Sequence, residues 1–454
     1  MLLIKDKFSI KKEQSMTSMK QSIYDDANTM PPMSEAIPLG LQHVLAMFAS
    51  NVTPAIIVAG AAGLTFGSSE QVYLIQMAML FAGIATLFQT VGFGFVGARL
   101  PIMQGTSFAF VGVLAGIAAT QGLGVALTSC VIAGLLHFAL GALITNIRSW
   151  FPPLVTGLVI LAIGLYLIPV GIKYAAGGAA DFQMAAESFG SLKHWSVALT
   201  VIFVAILVKF KSSGPLSNAA ILIGILAGYF LAFILGMVSF SGVGNASWIT
   251  SLQILPYGFE FNLGAVVGVT LISIVSAVET VGDASATTKA GAGREATDDE
   301  ISGATYADGL GTAVAGLFGG LPNTSFSQNV GIVGMTGVMS RHVVTIAGII
   351  MLICGLLPKI GAIIASMPLP VLGGGVIVMF GMVAAAGMNV LSEVSMTRRN
   401  MIIIAISLTV GLGLNLVPSA VQYLPGILKT LATSAVAPTA FLAIMLNQIL
   451  PEEE

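Results

Sequence analysis

Charge is the scarcest property of this 454-residue chain: 8% of its residues are Asp, Glu, Lys or Arg, against roughly 25% in an ordinary soluble domain. With 18 Lys and Arg against 20 Asp and Glu, no basic surface exists that could hold a nucleic acid by its phosphates. The two cysteines, Cys130 and Cys354, both lie inside apolar runs, which offers neither a disulfide framework nor a zinc site. The alternating pattern of an outer-membrane barrel is missing as well, because the apolar stretches run continuously. No nucleophile–base pair, metal cluster or phosphate-binding loop stands out, so an enzyme is the least favoured class. What the chain has instead is 56% hydrophobic residues and 53 glycines, the composition of an integral membrane protein with closely packed or broken helices.

Residues 1–37 are polar, contain five Lys and lack a long apolar run, which reads as a cytosolic tail and not a cleavable signal. A membrane span needs roughly 20 apolar residues. Candidates fall near 39–62, 73–97, 102–119, 123–146, 153–172, 195–209, 217–238, 261–286, 303–319, 323–336, 342–357, 368–390, 401–417 and 431–450. With the tail inside, these fourteen segments leave only Lys173, Lys193, Lys359 and Lys429 on the far side, and the other 14 Lys and Arg on the tail's side. Basic loops gather on the cytoplasmic face, so the count supports fourteen spans with both termini inside.

An internal repeat follows. Leu100-Pro101 before Thr106-Ser107-Phe108 resembles Leu321-Pro322 before Thr324-Ser325-Phe326, and Pro153-Leu154-Val155-Thr156-Gly157 resembles Pro370-Val371-Leu372-Gly373-Gly374. Both matches lie about 218 residues apart. Seven spans per half force the second copy to sit upside down relative to the first, the inverted-repeat arrangement of secondary transporters. The segments after Pro101 and Pro322 are broken, and irregular backbone at bilayer depth is tolerated only where it lines a cavity.

Three acids fall within expected spans: Glu279, Asp283 and Asp308. A carboxylate there costs several kcal/mol unless it faces water, a partner or a coupling ion. Glu279 and Asp283 are four residues apart and share one helix face. No Lys or Arg lies within these spans, so at least one acid is expected to carry a proton, and all three to share a water-accessible hollow beside Gln328. The stretch Pro322-Asn323-Thr324-Ser325-Phe326-Ser327-Gln328-Asn329 is too polar for a lipid-facing helix. The Gln328 amide donates and accepts in one plane, which suits the edge of an imide ring, and Phe108 offers a face for stacking or for plain packing. Asn329 could equally tie segments together, and His43, the clearest histidine inside a span, reads as readily as a structural hydrogen bond. The acidic stretch Asp298-Asp299-Glu300 reads as a solvated loop.

Taken in order, Gln42-His43, Glu279-Thr-Val-Gly-Asp283, Ala307-Asp308-Gly309, Ser325-Phe326 and Gln328-Asn329-x-Gly331-x4-Thr336-Gly337 resemble the motifs of the nucleobase-ascorbate transporters, the family of uracil, xanthine and urate permeases. The similarity runs over residues 38–450. It implies an all-α polytopic fold of two inverted seven-segment repeats, with short antiparallel strands in broken segments 3 and 10. The core domain would comprise 38–146 and 258–362, and the gate domain 147–240 and 363–450, with 451–454 as a C-terminal tail. It also implies a homodimer in the plasma membrane. By the same resemblance Glu279 and Gln328 bind the base edge, Phe108 stacks on the ring, and Ser107 and Phe326 contribute backbone. Asp308 couples the proton, while Asp283, His43 and Asn329 support the site.

Uracil carriers of this family tend to have Glu where Gln328 stands, so the resemblance points to xanthine or uric acid. Ser107 is smaller than the Asn of some xanthine-selective relatives and leaves room for the extra oxygen of urate. The expected activity is proton-coupled uptake by alternating access, without a cofactor or metal. A proton is favoured over sodium because the site offers titratable acids, although a sodium cage of carbonyls leaves no sequence signature. The competing readings are a uracil or other nucleobase permease, a passive facilitator, and an anion transporter of the sulfate-permease type.

Overall fold

The structure, a computed structural model, describes residues 26–147, 150–178, 181–182 and 184–451. Lys5, Lys7, Lys11, Lys12, Lys20 and Arg148, all counted on the tail's side, lie outside the described residues, as do positions 452–454 of the C-terminal tail.

The fourteen expected segments are all present. Span 1 is Met33–Ala61, span 2 Ser69–Thr90, span 4 Leu123–Leu140, and span 5 Pro153–Tyr166 running on through Ile168–Ala175. Spans 6 and 7 are Leu192–Lys211 and Ala220–Ile234. The second half has span 8 at Leu263–Ala292, span 9 at Asp298–Leu317 and span 11 at Arg341–Leu356, which bends by 79° into Pro358–Ala365. Spans 12 to 14 are Leu369–Ser392, Arg398–Leu416 and Val436–Ile449. Spans 3 and 10 are broken as expected: strand β1 (Gln104–Thr106) precedes helix Val111–Gln121, and strand β2 (Asn323–Ser325) precedes helix Ser327–Thr336. Among the described residues, eight helices are individually long and apolar enough to cross a bilayer, nine with the bent pair. The remainder are short, broken or, in span 9, polar, and these need protein neighbours at membrane depth.

Local chemistry sets several boundaries away from the hydropathy edges. Span 1 starts at Met33, inside the expected tail, behind Pro32. Span 9 starts at Asp298 and not near 303, because Thr297 and Glu300 form a capping box that satisfies the first amide donors. Asp298, Asp299 and Glu300 are therefore not a loop; they occupy a helix's first turn, where the macrodipole favours negative charge, and Glu300 also pairs with Arg294 at 2.5 Å. Span 8 continues to Ala292 and ends on left-handed Gly293, so Lys289 belongs to this helix, on its exposed side.

The packing has an internal twofold character. Span 2 packs on span 11 as span 9 packs on span 4, and span 6 on span 7 as span 13 on span 14. Span 5 packs on span 12, and β1 pairs with β2. Exchange of the halves maps the first four contacts onto one another in pairs and the last two onto themselves, as two interlocked repeats require. The crossings are close enough to touch backbones. A Cβ built on Gly309 of span 9 would lie 2.2 Å from the Phe138 nitrogen of span 4, and one on Gly134 of span 4 would lie 2.4 Å from the Ala313 nitrogen. Gly309→Ala is thus expected to destabilise the protein by about 2–3 kcal/mol through overpacking against atoms that cannot rotate away. Gly413→Ala, where the added carbon meets nothing within 4 Å, serves as the control. Thermal unfolding in detergent measures both.

Several of the counted basic residues can be located. Asp26, Arg99 and Arg294 line one open hollow of about 1060 Å³, and Arg341 holds Asn28 at 3.0 Å. Lys359, counted on the opposite face, binds the carbonyl of Val243 at 2.7 Å in the connection between spans 7 and 8.

Candidate functional site

The site grows out of the strand pair. Gln104 pairs with Ser325, Gly105 with Thr324 and Thr106 with Asn323. The ladder extends at both ends, where Ser107 N–H donates to the Pro322 carbonyl and Phe326 N–H to that of Met103, each at 2.9 Å. Gly105 is required by proximity: a Cβ there would stand 2.5 Å from Met47 Cε and 2.6 Å from the Phe326 ring. Beyond the strands the two half-helices start at Val111 and Ser327, so their N-terminal dipole ends flank the same place.

A cavity of about 200 Å³ opens there. Its core-side wall is Thr106, Ser107, Phe108 and Ala109 from span 3, Glu279 from span 8, and Thr324 to Gln328 from span 10. The facing wall is apolar: Ile160 and Ile163 of span 5, and Met382, Val383 and Ala386 of span 12. Along spans 10 and 12 the exposed positions Ser327, Gly331, Met382 and Ala386 lead toward the tail's end of the molecule. In the opposite direction, the half-helix of span 3 buries Val111, Val113, Leu114 and Ile117. Phe108 meets Phe380 of span 12 edge to face, ring centroids 5.3 Å apart, and its carbonyl accepts from Tyr166 Oη of span 5 at 3.3 Å.

Five residues singled out from sequence, Glu279, Gln328, Phe108, Ser107 and Phe326, therefore line one cavity. Asp283, Asp308, His43 and Asn329 do not. Asn329 Nδ2 donates to His43 Nδ1 and to its carbonyl, each at 3.0 Å, which ties span 10 to span 1 behind the wall. Asp283 is set back behind two serines: Ser325 Oγ donates to Oδ2 at 2.6 Å and Ser327 Oγ to Oδ1 at 2.8 Å. Asp308 is fully buried. It accepts from Gln89 Nε2 at 3.0 Å, from Gln104 Nε2 and from Thr280 Oγ1. The expectation of three acids in one hollow is corrected accordingly: Glu279 alone reaches it, because the strand pair stands between the cavity and the other two. That expectation took helix-face spacing as a guide to depth, and spacing does not carry that information.

Sequence reasoning also passed over the polar side chains that hold the strands. Asn51 Oδ1 accepts from Thr106 N–H at 2.8 Å while its Nδ2 donates to the Ala78 carbonyl at 3.0 Å. Gln89, Gln104 and Thr280 converge on Asp308. An amide inside an otherwise apolar span is itself a signal, and Asn51 and Gln89 both carried it.

Broken helices that meet inside the bundle around a small cavity with one polar wall, within two interlocked inverted halves, define a secondary transporter. The comparisons agree with that class. The profile Xan_ur_permease, described as "Permease family", matches residues 34–420. The xanthine permease of Bacillus subtilis (strain 168) is 34% identical over 415 residues, 91% of this chain and 93% of that protein. The uric acid transporter UacT of Escherichia coli (strain K12) is 35% identical over 430 residues, 93% of this chain and 87% of that protein. In fold, the chain is similar to the transmembrane domain of a cyanobacterium bicarbonate transporter, BicA. Their TM-score is 0.59 at 14% identity, over 92% of this chain and 98% of that one. The chain belongs to the xanthine/uracil-type permease family, and is a multi-pass membrane transporter.

Proposed function

We propose that this permease is a proton-coupled symporter that takes up an oxopurine, xanthine or uric acid, by alternating access. The observation that carries the reading is the meeting of one carboxylate, Glu279, one amide, Gln328, and one aromatic ring, Phe108, around a cavity of about 200 Å³. Drug-sized pockets run to about 300–1,000 Å³, so a single fused ring system suits this space. In the proposed pose Glu279 accepts from ring N–H groups and the Gln328 amide completes the paired donor and acceptor edge. Phe108 lies against the ring, and backbone near Ser107 and Phe326 closes the remaining contacts. Asp308 exchanges the coupling proton, supported by Asp283, while Asn329 and His43 keep span 10 in position.

The core, 38–146 with 258–362, would move against the gate, 147–240 with 363–450, along the apolar wall of spans 5 and 12. The reading includes a homodimer in the plasma membrane, both termini cytosolic, and no cofactor beyond the coupling ion. The names of the xanthine and uric acid relatives support the substrate class.

Purified protein in vesicles tests it. An imposed proton gradient is expected to drive accumulation of labelled xanthine, with urate competing better than uracil, hypoxanthine or guanine. Uptake that ignores the proton gradient, or follows sodium instead, overturns the coupling. Gln328→Ala is expected to raise KM by about 30–150-fold, the loss of two hydrogen bonds of about 1–1.5 kcal/mol each, read from initial uptake rates.

A further inference from the structure

Asp308 lies wholly inside the core and lines no part of the cavity, and the groups in contact with its carboxyl are protein side chains. The hydrogen bonds mark one route. From the cavity edge, Ser325 Oγ contacts Asp283 Oδ2 at 2.6 Å and Thr280 Oγ1 at 3.3 Å. Thr280 Oγ1 in turn contacts Asp308 Oδ2. Two carboxyls thus stand at the ends of a chain whose middle is two hydroxyls. A side branch leads from Thr280 to Thr324 at 3.4 Å and on to Ser276 at 3.1 Å, where it meets no acid.

Counting hydrogens decides what this chain can do. It has three oxygen–oxygen links, and its two hydroxyls supply two hydrogens. With both acids ionised, Ser325 donates to Asp283, Thr280 donates to Asp308, and the link between the hydroxyls has no hydrogen of its own. One added proton fills all three links. It can do so in two senses, with the proton on Asp283 or on Asp308. A second added proton has no further link to fill.

We propose that Asp283 and Asp308 act as one unit holding a single mobile proton, relayed between them by the hydroxyls of Ser325 and Thr280. The proposal rests on the proton-coupled reading above and assigns its path. In the inward step the Asp283 O–H bond breaks and its hydrogen goes to Ser325 Oγ. The hydrogen of Ser325 goes to Thr280 Oγ1, and that of Thr280 to Asp308 Oδ2. Three O–H bonds break and three form, and the negative charge passes from Asp308 to Asp283. The charge arrives one helical turn from Glu279, the only other acid facing Asp283 on span 8, so occupation of Glu279 by a base N–H would favour it there. Span 9 presents Asp308, span 2 Gln89, span 3 Gln104 and span 10 the two serines. Among the described residues no Lys or Arg pairs with either acid.

The readout is a ratio measured in one set of vesicles: accumulation driven by a proton gradient, divided by exchange of internal for external xanthine without a gradient. Exchange returns the loaded carrier each way and needs no net proton movement. Thr280→Val replaces the hydroxyl by a methyl of similar size and is expected to lower the ratio at least tenfold, on the scale of a lost proton-transfer group, roughly 10²–10⁴. Ser325→Ala is expected to do the same, and Thr280→Ser to stay within about twofold of the parent, because it keeps the transferring O–H. Because exchange is the denominator, a variant that merely folds or binds less well leaves the ratio in place. A parent that follows the gradient together with a Thr280→Val or Ser325→Ala variant of unchanged ratio overturns the relay alone. A Thr280→Ser variant as low as Thr280→Val also overturns it. A parent that ignores the gradient overturns the coupling reading, and the relay with it.

Discussion

Glu279→Gln is expected to lower initial xanthine uptake by about a hundredfold, with protein levels in the membrane unchanged. An ionised carboxylate offers acceptors alone, and base N–H groups are donors. The substitution keeps the shape and puts an amide NH2 where an acceptor stood. A donor then faces a donor in a cavity that it shares with Phe108 and the aliphatic wall of spans 5 and 12. Loss of a hydrogen bond to a charged group is worth about 1.5–3 kcal/mol, and about 1.4 kcal/mol is a factor of ten. Glu279→Asp retains the acceptor but withdraws it by one methylene, and its loss is expected to be smaller. Uptake by Glu279→Gln within threefold of the parent would remove Glu279 from the binding role.

Asp308→Asn should damage stability and coupling together. Three donors converge on this carboxyl: the side-chain amides of Gln89 and Gln104, and the hydroxyl of Thr280. An acceptor-only group satisfies all three. Asparagine has one acceptor oxygen for the two glutamine amides, and its NH2 brings two hydrogens to a fully buried place where the Thr280 hydroxyl, turned from donor to acceptor, takes one. An unsatisfied buried polar group costs about 1–3 kcal/mol, so the unfolding temperature in detergent is expected to fall by several degrees. Gradient-driven accumulation is expected to vanish, since an amide cannot carry the proton. Asp308→Glu keeps the proton and the acceptors at the cost of one extra methylene, and is expected to recover part of the accumulation. An Asn variant that accumulates xanthine like the parent would show that the coupling proton resides elsewhere.

The sequence carried the features that repeat along it or that membrane physics makes conspicuous. Fourteen apolar segments, the matching breaks before Thr106 and Thr324, and a carboxylate and an amide without basic neighbours were all visible in one dimension. Depth was not. Glu279 and Asp283 share a helix face, yet one enters the cavity and the other sits behind Ser325 and Ser327, which a distant segment, span 10, brings against it. The gate wall was silent for a related reason. Ile160, Ile163 and Met382 look like any lipid-facing side chain until spans 5 and 12 cross in front of the core. Asn51 and Gln89 were legible as polar residues in apolar helices, but their partners, Thr106 N–H and Asp308, lie 55 and 219 positions away.

The pairing of β1 with β2 joins residues that the ribosome makes at very different moments. Thr106 emerges 217 residues before Asn323, its partner in the ladder, an interval of roughly 10–40 s at a synthesis rate of about 5–20 residues per second. Throughout that interval the nascent first half lies in lipid with a strand edge that no other strand covers. The other edge needs no strand: Gln104 N–H and Thr106 N–H face away from β2, to Thr86 Oγ1 at 2.9 Å and Asn51 Oδ1 at 2.8 Å, both within the first half. The second half thus has one edge of β1 left to complete, that of Gly105 and Ser107.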